Sequence, residues 1–487
     1  MSPVLLLSAL FGWLAISVGL GYVASRKLRE GPVEFFLGGR RIGGFVAGMT
    51  YAATTYSAFM LVGLVGLTYR DGVGTLGFEL IYLMFTMVFL LLFAPRFWVT
   101  AARHGIVSPS ELLELRYRSV WSGRAATIIS FVMLVPYASA QLIGSGLLLE
   151  QLSDGALTFE LGVVMTVAVA IIGALWAGMH SVSLTDAVQG MVMLVSALIV
   201  LGVIVWSIFG GIGSFISTVE GSDARLLAFD WDVNFFIGLT LPWAFFAITN
   251  PQVSQRTMIA RSPLSLRRMI VYFSLFGFLY TLVSVLFGFA AREMIPGLDN
   301  PDNAMPMLLT LVPDVLGLIM FVGIFAAATS TLGSIFLTLG SLLARESVLP
   351  GGRRISERRQ RMLGRVAIAG LAAVCVWFAN LRPGLITVLS SMASGGLLMT
   401  APALIGCFYS ERGSSVAALV SMSMAVPVGI AYAVNWFPLG IWPPVWGIAL
   451  SSVLYILLSL KFPDGEYGRR FIGGVHADLA SNGFRRE

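Results

Sequence analysis

Two neighbouring hydroxyls, Ser330 and Thr331, sit in a run that is otherwise apolar or small: Ala327-Ala328-Thr329-Ser330-Thr331-Leu332-Gly333-Ser334. Hydroxyls inside a helix can simply bond back to their own carbonyls. With the carbonyl of Ala327 a turn earlier, they can also offer three hard oxygens to a cation. A Na⁺ site needs about five or six such oxygens and neither thiolate nor imidazole. A second apolar run supplies the remainder. It carries Ala52-Ala53-Thr54-Thr55-Tyr56-Ser57 between Gly48 and the Gly63/Gly66 pair, and a break there frees the carbonyls of Ala53 and Tyr56. A third run carries Pro242 and then Thr249-Asn250-Pro251-Gln252. Broken helices are tolerated at membrane depth only where they line a cavity, and there they expose carbonyls and helix ends to ions and solutes.

The composition requires that these runs lie in a membrane. Of 487 residues, 57% are hydrophobic and only 11% charged, with a mean hydropathy of +0.87. Soluble chains carry about 25% charged residues, so a soluble enzyme, a disordered chain or a nucleic-acid module is excluded. The net charge of +6 reflects 31 basic residues, all but Lys27 and Lys461 arginine, placed in short segments between apolar runs. Cys375 and Cys407 lie inside apolar runs, and His104, His180 and His476 are far apart. No nucleophile–base pair, metal cluster or phosphate loop is present, so the chain reads as a non-enzyme.

About 20 apolar residues cross a bilayer as a helix, and thirteen such runs occur: 4–24, 44–68, 74–95, 125–151, 159–178, 184–209, 233–255, 270–291, 315–344, 366–381, 383–409, 415–435 and 440–460. With the N-terminus outside, 27 basic residues fall in the inside segments and four (Arg70, Arg225, Arg292 and Arg382) outside. That asymmetry predicts an N-out, C-in protein. Ser108 and Glu111 stand at capping-box spacing and predict a short helix through Arg118, and 303–312 reads as a short outer helix. The stretch 345–361 reads as a solvated inner loop that can touch anionic lipid. The two broken spans are five apart. Two five-helix repeats of opposite orientation follow, at 44–209 and 210–409. Residues 1–43 precede them, two further helices occupy 410–460, and 461–487 is a cytoplasmic tail. The expected fold is an all-α polytopic membrane protein with a five-plus-five inverted-repeat core.

The chain resembles the sodium:solute symporter family over about residues 4 to 460. The residues that carry the resemblance are Phe36-Leu37-Gly38-Gly39-Arg40, the break after Ala52, Pro109-Ser110-Glu111-Leu112-Leu113 with Arg116-Tyr117, Gln141-Leu142-Ile143-Gly144-Ser145-Gly146, Thr185-Asp186-Ala187-Val188-Gln189, Gln255-Arg256-Thr257, and Ala327 to Leu332. The resemblance implies a LeuT-like architecture, alternating access and Na⁺ as the coupling ion. It places the shared sodium site on Ala53, Tyr56, Ala327, Ser330 and Thr331. A second ion site would use Asp186 with hydroxyls such as Ser334, but one expected hydroxyl position is Gly333. One Na⁺ per solute is therefore expected, with Asp186 serving the exit path or packing near His180. Two further positions depart from the family pattern. Thr55 replaces the acidic residue of proline-type members, and Ala177-Gly178 replaces a Gly-Gly pair.

Glu79 stands out as a charge well inside a span, and the resemblance puts it where sugar-transporting members bind substrate. Their accompanying lysine and glutamine have no counterparts here, so a sugar held that way is not expected. Thr54, Ser57, Tyr137, Gln141, Phe246, Asn250 and Gln252 complete the candidate solute set. No basic side chain is expected to face the cavity, and a zwitterion fits Glu79 better than a simple anion. The sequence thus points to a plasma-membrane protein (inner membrane in a bacterium) that couples Na⁺ to uptake of a small polar solute such as an amino acid. Solute, sodium and lipid are its expected partners, with neither nucleic acid nor an obligate protein partner. The alternatives are a sensor that keeps the same fold, or a proton-coupled or uncoupled facilitator.

Overall fold

The computed structural model describes residues 1–25, 31–346 and 357–484. Arg26, Lys27 and Arg29, and most of the expected 345–361 loop, lie outside the described residues. Within them the chain is helical, and a single isolated bridge, Ile42 to Ala260, stands in for sheet. The helices in order are α1 (Pro3–Ser25), α2 (Pro32–Leu37), α3 (Gly44–Thr55), α4 (Leu64–Asp71), α5 (Gly74–His104), α6 (Pro109–Tyr117), α7 (Val120–Leu152) and α8 (Phe159–Val203). There follow α9 (Ile212–Ser222), α10 (Val233–Ala244), α11 (Phe246–Thr249), α12 (Pro251–Ser254), α13 (Pro263–Met294), α14 (Ala304–Leu308) and α15 (Asp314–Glu346). The last seven are α16 (Glu357–Asn380), α17 (Ile386–Leu398), α18 (Ala401–Tyr409), α19 (Ser415–Ser423), α20 (Ala425–Ala433), α21 (Pro443–Lys461) and α22 (Gly465–Ser481).

Among the described residues, nine helices are long and apolar enough to cross a bilayer. One further pair, Gly44–Thr55 with Phe59–Asp71, is bent by 53°, and three shorter apolar helices cover Phe159–Ile172, Val233–Ala244 and Gly364–Asn380. The expected runs 159–178 and 184–209 are two helical segments of α8, which turns a corner at Gly178, where the backbone is not helical (φ 61°, ψ −154°). The backbone of Phe35 passes so close that a Cβ at Gly178 would collide with its carbonyl. Of the Ala177-Gly178 pair, the second position is therefore the one that must be glycine. The expected short helices are present as α6 and as Pro301–Asn303 leading into α14, and Ser108 accepts the Glu111 N–H at 3.2 Å as its N-cap. The tail carries a helix, α22, that buries Phe471, Ile472, Val475 and Leu479.

α15 lies along α8, α3 along α13, and α17 along α7. These packings set the first broken helix between two long neighbours, α8 and α13, with α15 also touching it. Where α3 begins, the chain is stitched to the segment after α12 by main-chain bonds: the Ile42 N–H to the Ile259 carbonyl (3.2 Å) and the Arg261 N–H to the Ile42 carbonyl (3.0 Å). The Trp98 indole N–H donates to the Ala260 carbonyl at 2.7 Å, and the Phe484 ring packs edge-on to Trp98. Arg116, fully buried, donates to the carbonyls of Cys407, Ser410 and Gly413 around the end of α18. A cation at a helix C-terminus is favourable there.

Candidate functional site

The first break is set by backbone geometry. α3 is helical to Thr55, Tyr56 turns extended (φ −94°, ψ 109°), and its N–H closes the last turn on the Ala52 carbonyl at 2.7 Å. Met60 then bonds the Ser57 carbonyl at 3.0 Å, so the helical ladder restarts past Tyr56. The Ala53 carbonyl is met instead by hydroxyls from α15, Ser330 at 2.9 Å and Thr331 at 3.2 Å. Ser330 also reaches the Ala327 carbonyl at 3.0 Å. Four of the five expected sodium residues thus bring their oxygens into one buried cluster, and the fifth, Tyr56, makes the break. Its ring is held between Phe273, Phe276, Tyr82 and Tyr280.

A second cluster adjoins the first. The Asp186 carboxylate accepts from Thr50 (2.6 Å) and Ser334 (3.4 Å) and faces the Arg256 guanidinium at 3.7 Å. Arg256 donates to Ser334 at 2.5 Å, and Ser334 lies 2.9 Å from the Thr54 hydroxyl. Thr54, a solute candidate from the sequence, thus joins this cluster through Ser334. Both Asp186 and Arg256 are buried. This pair adds a buried acid and a buried base to Glu79, the charge the sequence singles out. Next to it, Gln189 donates to Thr329 at 3.1 Å.

Two of the solute candidates, Phe246 and Tyr137, belong to one aromatic group. Phe246 stacks on Trp243 (centroids 5.2 Å apart, 14° between planes), and Tyr82 and Tyr137 meet both rings edge-on. Phe59 stacks on the Trp243 ring at 4.9 Å. Glu79 is fully buried close to Tyr56, Tyr82 and Tyr137, and neither of its oxygens has a hydrogen-bond partner. The Gln141 amide donates to the Tyr137 carbonyl (3.2 Å), leaving its own carbonyl oxygen unpaired. Ser57 accepts the Phe59 N–H at 3.2 Å, which starts the helix after the break. Asn250 (φ −88°, ψ 110°) interrupts the second broken helix, and Gln252 donates to the Asn250 side chain at 3.4 Å. Sequence reasoning missed Trp243, Tyr82 and Arg256. Tyr82 stands three residues after Glu79 and so on its helix face, and Trp243 directly follows Pro242.

A buried carboxylate, buried amide oxygens and hydroxyls without partners are costly unless something satisfies them. The aromatic group can enclose the body of a small organic molecule while Glu79 and the amides bind its polar atoms. The carbonyl–hydroxyl cluster offers hard oxygens to a cation.

The model of the sodium:solute symporter family matches residues 35–424. The sodium/pantothenate symporter of Escherichia coli (strain K12) is 27% identical over 469 residues, 92% of this chain and 95% of that protein. The osmoregulated proline transporter OpuE of Bacillus subtilis (strain 168) is 25% identical, covering 91% of this chain and 92% of that one. Among solved structures, a Na⁺-coupled sialic acid symporter in a substrate-bound, outward-open state superposes with a TM-score of 0.78 at 19% identity, over 94% of this chain and 98% of that one. A nucleobase–cation symporter in a closed conformation gives 0.57 at 12% identity, over 93% and 96%. The fold is LeuT-like, and the protein is a multi-pass membrane transporter and not an enzyme. The chain belongs to the sodium:solute symporter family.

Proposed function

We propose that this protein couples inward flow of Na⁺ to uptake of a small polar organic solute, an amino acid or related metabolite, by alternating access. The observation that carries the reading is the meeting of the Ala53 and Ala327 carbonyls with the Ser330 and Thr331 hydroxyls across α3 and α15. An ion held by these oxygens, with the Tyr56 carbonyl, ties the broken helix to α15. Solute binding at Glu79, Tyr137, Gln141, Phe246, Asn250 and Gln252, with Ser57 beside them, then depends on whether that tie is made. The relatives' names, pantothenate and proline symporters among them, support a small polar cargo. Uptake of a labelled solute panel into proteoliposomes, with and without an inward sodium gradient, tests the reading. Accumulation indifferent to sodium would sink it.

The same proposal includes thirteen crossings, with Met1 outside and the tail after Lys461 in the cytoplasm of a bacterial inner-membrane protein. The bent pair and the three shorter apolar helices, each counted as a crossing, bring the nine long helices to that number. It also includes the division into two inverted five-helix repeats at 44–209 and 210–409. Cysteines introduced at 465–484 are expected to react only with reagent applied from the inside, and labelling from outside overturns the orientation. One observation favours a second reading. Glu79, a buried carboxylate without a partner, is the group that proton coupling would use. A pH gradient imposed without sodium would then drive uptake, and Glu79→Gln would abolish that drive.

A further inference from the structure

We propose that the groove between α18 and α21 binds an anionic phospholipid, its phosphate among Arg96, Arg412 and Lys461 and one acyl chain along the two helices. The groove has a volume of about 520 Å³ and is lined by Pro402, Ile405 and Tyr409 of α18 and by Ser452, Ile456 and Ser459 of α21. Packing creates it. Tyr455 of α21 lies over Gly406, where a Cβ would collide with its hydroxyl, and that hydroxyl meets Tyr117 Oη at 2.9 Å. The large side chain is thus drawn inward, and the small serines at 452 and 459 leave the space beside it open. From Ser452 to Leu460 the α21 wall runs about 12 Å, at ~1.5 Å per helical residue. That is close to the ~15 Å of one leaflet, half of a ~30 Å hydrocarbon core.

The groove is charged at one end only, where α18 and α21 both finish. Arg412 lines that end. The Arg96 guanidinium lies 4.8 Å from the centroid of the Tyr409 ring, and its buried Nε has no hydrogen-bond partner. Lys461 follows Leu460, with its ammonium 5.4 Å from the centroid of the Phe462 ring. Among the described residues none of these three cations is in an ion pair, whereas Arg103, Arg469 and Arg470 pair with Asp478, Glu411 and Glu466. Glu411, the acid among the lining residues, is thereby answered by Arg469. Ser459 is 4% exposed and its hydroxyl has no partner, a cost that an ester or phosphate oxygen in the groove relieves. Cations above an apolar slot between membrane helices match an anionic headgroup with its chain. A zwitterionic lipid brings its own cation against these three, and a free phosphate leaves the slot empty. In the orientation proposed above, this end lies in the cytoplasmic leaflet.

The test is native mass spectrometry of the full chain, purified and stripped of lipid, titrated with dioleoylphosphatidylglycerol or dioleoylphosphatidylcholine. The first phosphatidylglycerol is expected to bind at least about tenfold more tightly than the first phosphatidylcholine, the gap narrowing as salt rises. Arg96→Gln combined with Arg412→Gln should erase that preference and leave phosphatidylcholine binding unchanged. Ser452→Phe fills the groove with all three cations in place, and it too should lose the tight phosphatidylglycerol. A phosphatidylglycerol with a diazirine near the end of one acyl chain is expected to label residues within 402–409 or 452–460. The labelling and the arginine variants decide the matter even if Ser452→Phe does not fold. Equal affinity for the two lipids, a preference that survives the double arginine change, or labelling confined to other helices overturns the inference. Displacement of the bound lipid by an equal concentration of inorganic phosphate overturns it as well, since the chain would then contribute nothing.

Discussion

The two broken helices are broken by different means. In the second, Pro251 lacks the N–H that would continue the ladder, and the residue before a proline is pushed out of the helical region. Asn250 is accordingly extended, and Pro251 opens α12 as its first residue. The chain itself writes that break. The first break contains no proline. Its residues, Ala53 to Ser57, could continue a helix, yet Tyr56 is extended and Ala53 gives its carbonyl to hydroxyls of another helix. One interruption is constitutive, written by the proline itself. The other is conditional, held open by partners on α15, and so can answer to an ion.

The largest expected effect attacks the conditional break. A hydrogen bond or ligand contact to a charged group is worth about 1.5–3 kcal/mol, and each 1.4 kcal/mol is about tenfold. Ser330→Ala and Thr331→Ala should each raise the half-saturating sodium concentration about tenfold, and together about 100-fold. Solute affinity at saturating sodium should hardly move. A sodium titration of initial uptake rates checks this, and an unchanged curve would place the ion elsewhere.

Pro251→Ala comes next. Alanine in a helix interior is favoured over proline by about 3 kcal/mol, enough to let the second helix heal. The solute KM is expected to rise about tenfold while sodium dependence stays within about twofold. Equal shifts in both would show that the breaks are not independent. The smallest effect is reserved for Thr55→Ala, at the position where proline-type relatives carry an acid. Its hydroxyl has no partner, and α15 holds the break, so both constants should change less than about threefold. A larger change would make the first break locally written after all.

This contrast also explains what the sequence disclosed. Pro251 and the Ser330-Thr331 pair are local signals and could be read directly. The membrane helices were legible for the same reason, since an apolar run needs no partner to be recognised. In the sequence Arg256 stands just past an apolar run, within Gln255-Arg256-Thr257. Its burial against Asp186 depends on a contact 70 residues distant in sequence, which no local pattern encodes. Trp243 was hidden for a related reason: a tryptophan in an apolar span looks like packing until Phe246, Tyr82 and Tyr137 are seen around it. The helix α22 did carry a periodic signal in Phe471, Ile472, Val475 and Leu479, but it is too polar overall to register as a span.

The two bonds that stitch Ile42 to the Ile259–Arg261 segment are made between peptide groups. Two such bonds are together worth about 1–3 kcal/mol, small enough for thermal opening to be frequent. Because side chains take no part in these two bonds, a side-chain substitution does not remove either one. The useful probes are chemical ones: amide hydrogen exchange at Ile42 and Arg261, whose N–H groups make the two bonds, or replacement of either amide by an ester. If the seam opens and closes during turnover, the protons on these two nitrogens will exchange faster while solute is being carried than when the protein is idle.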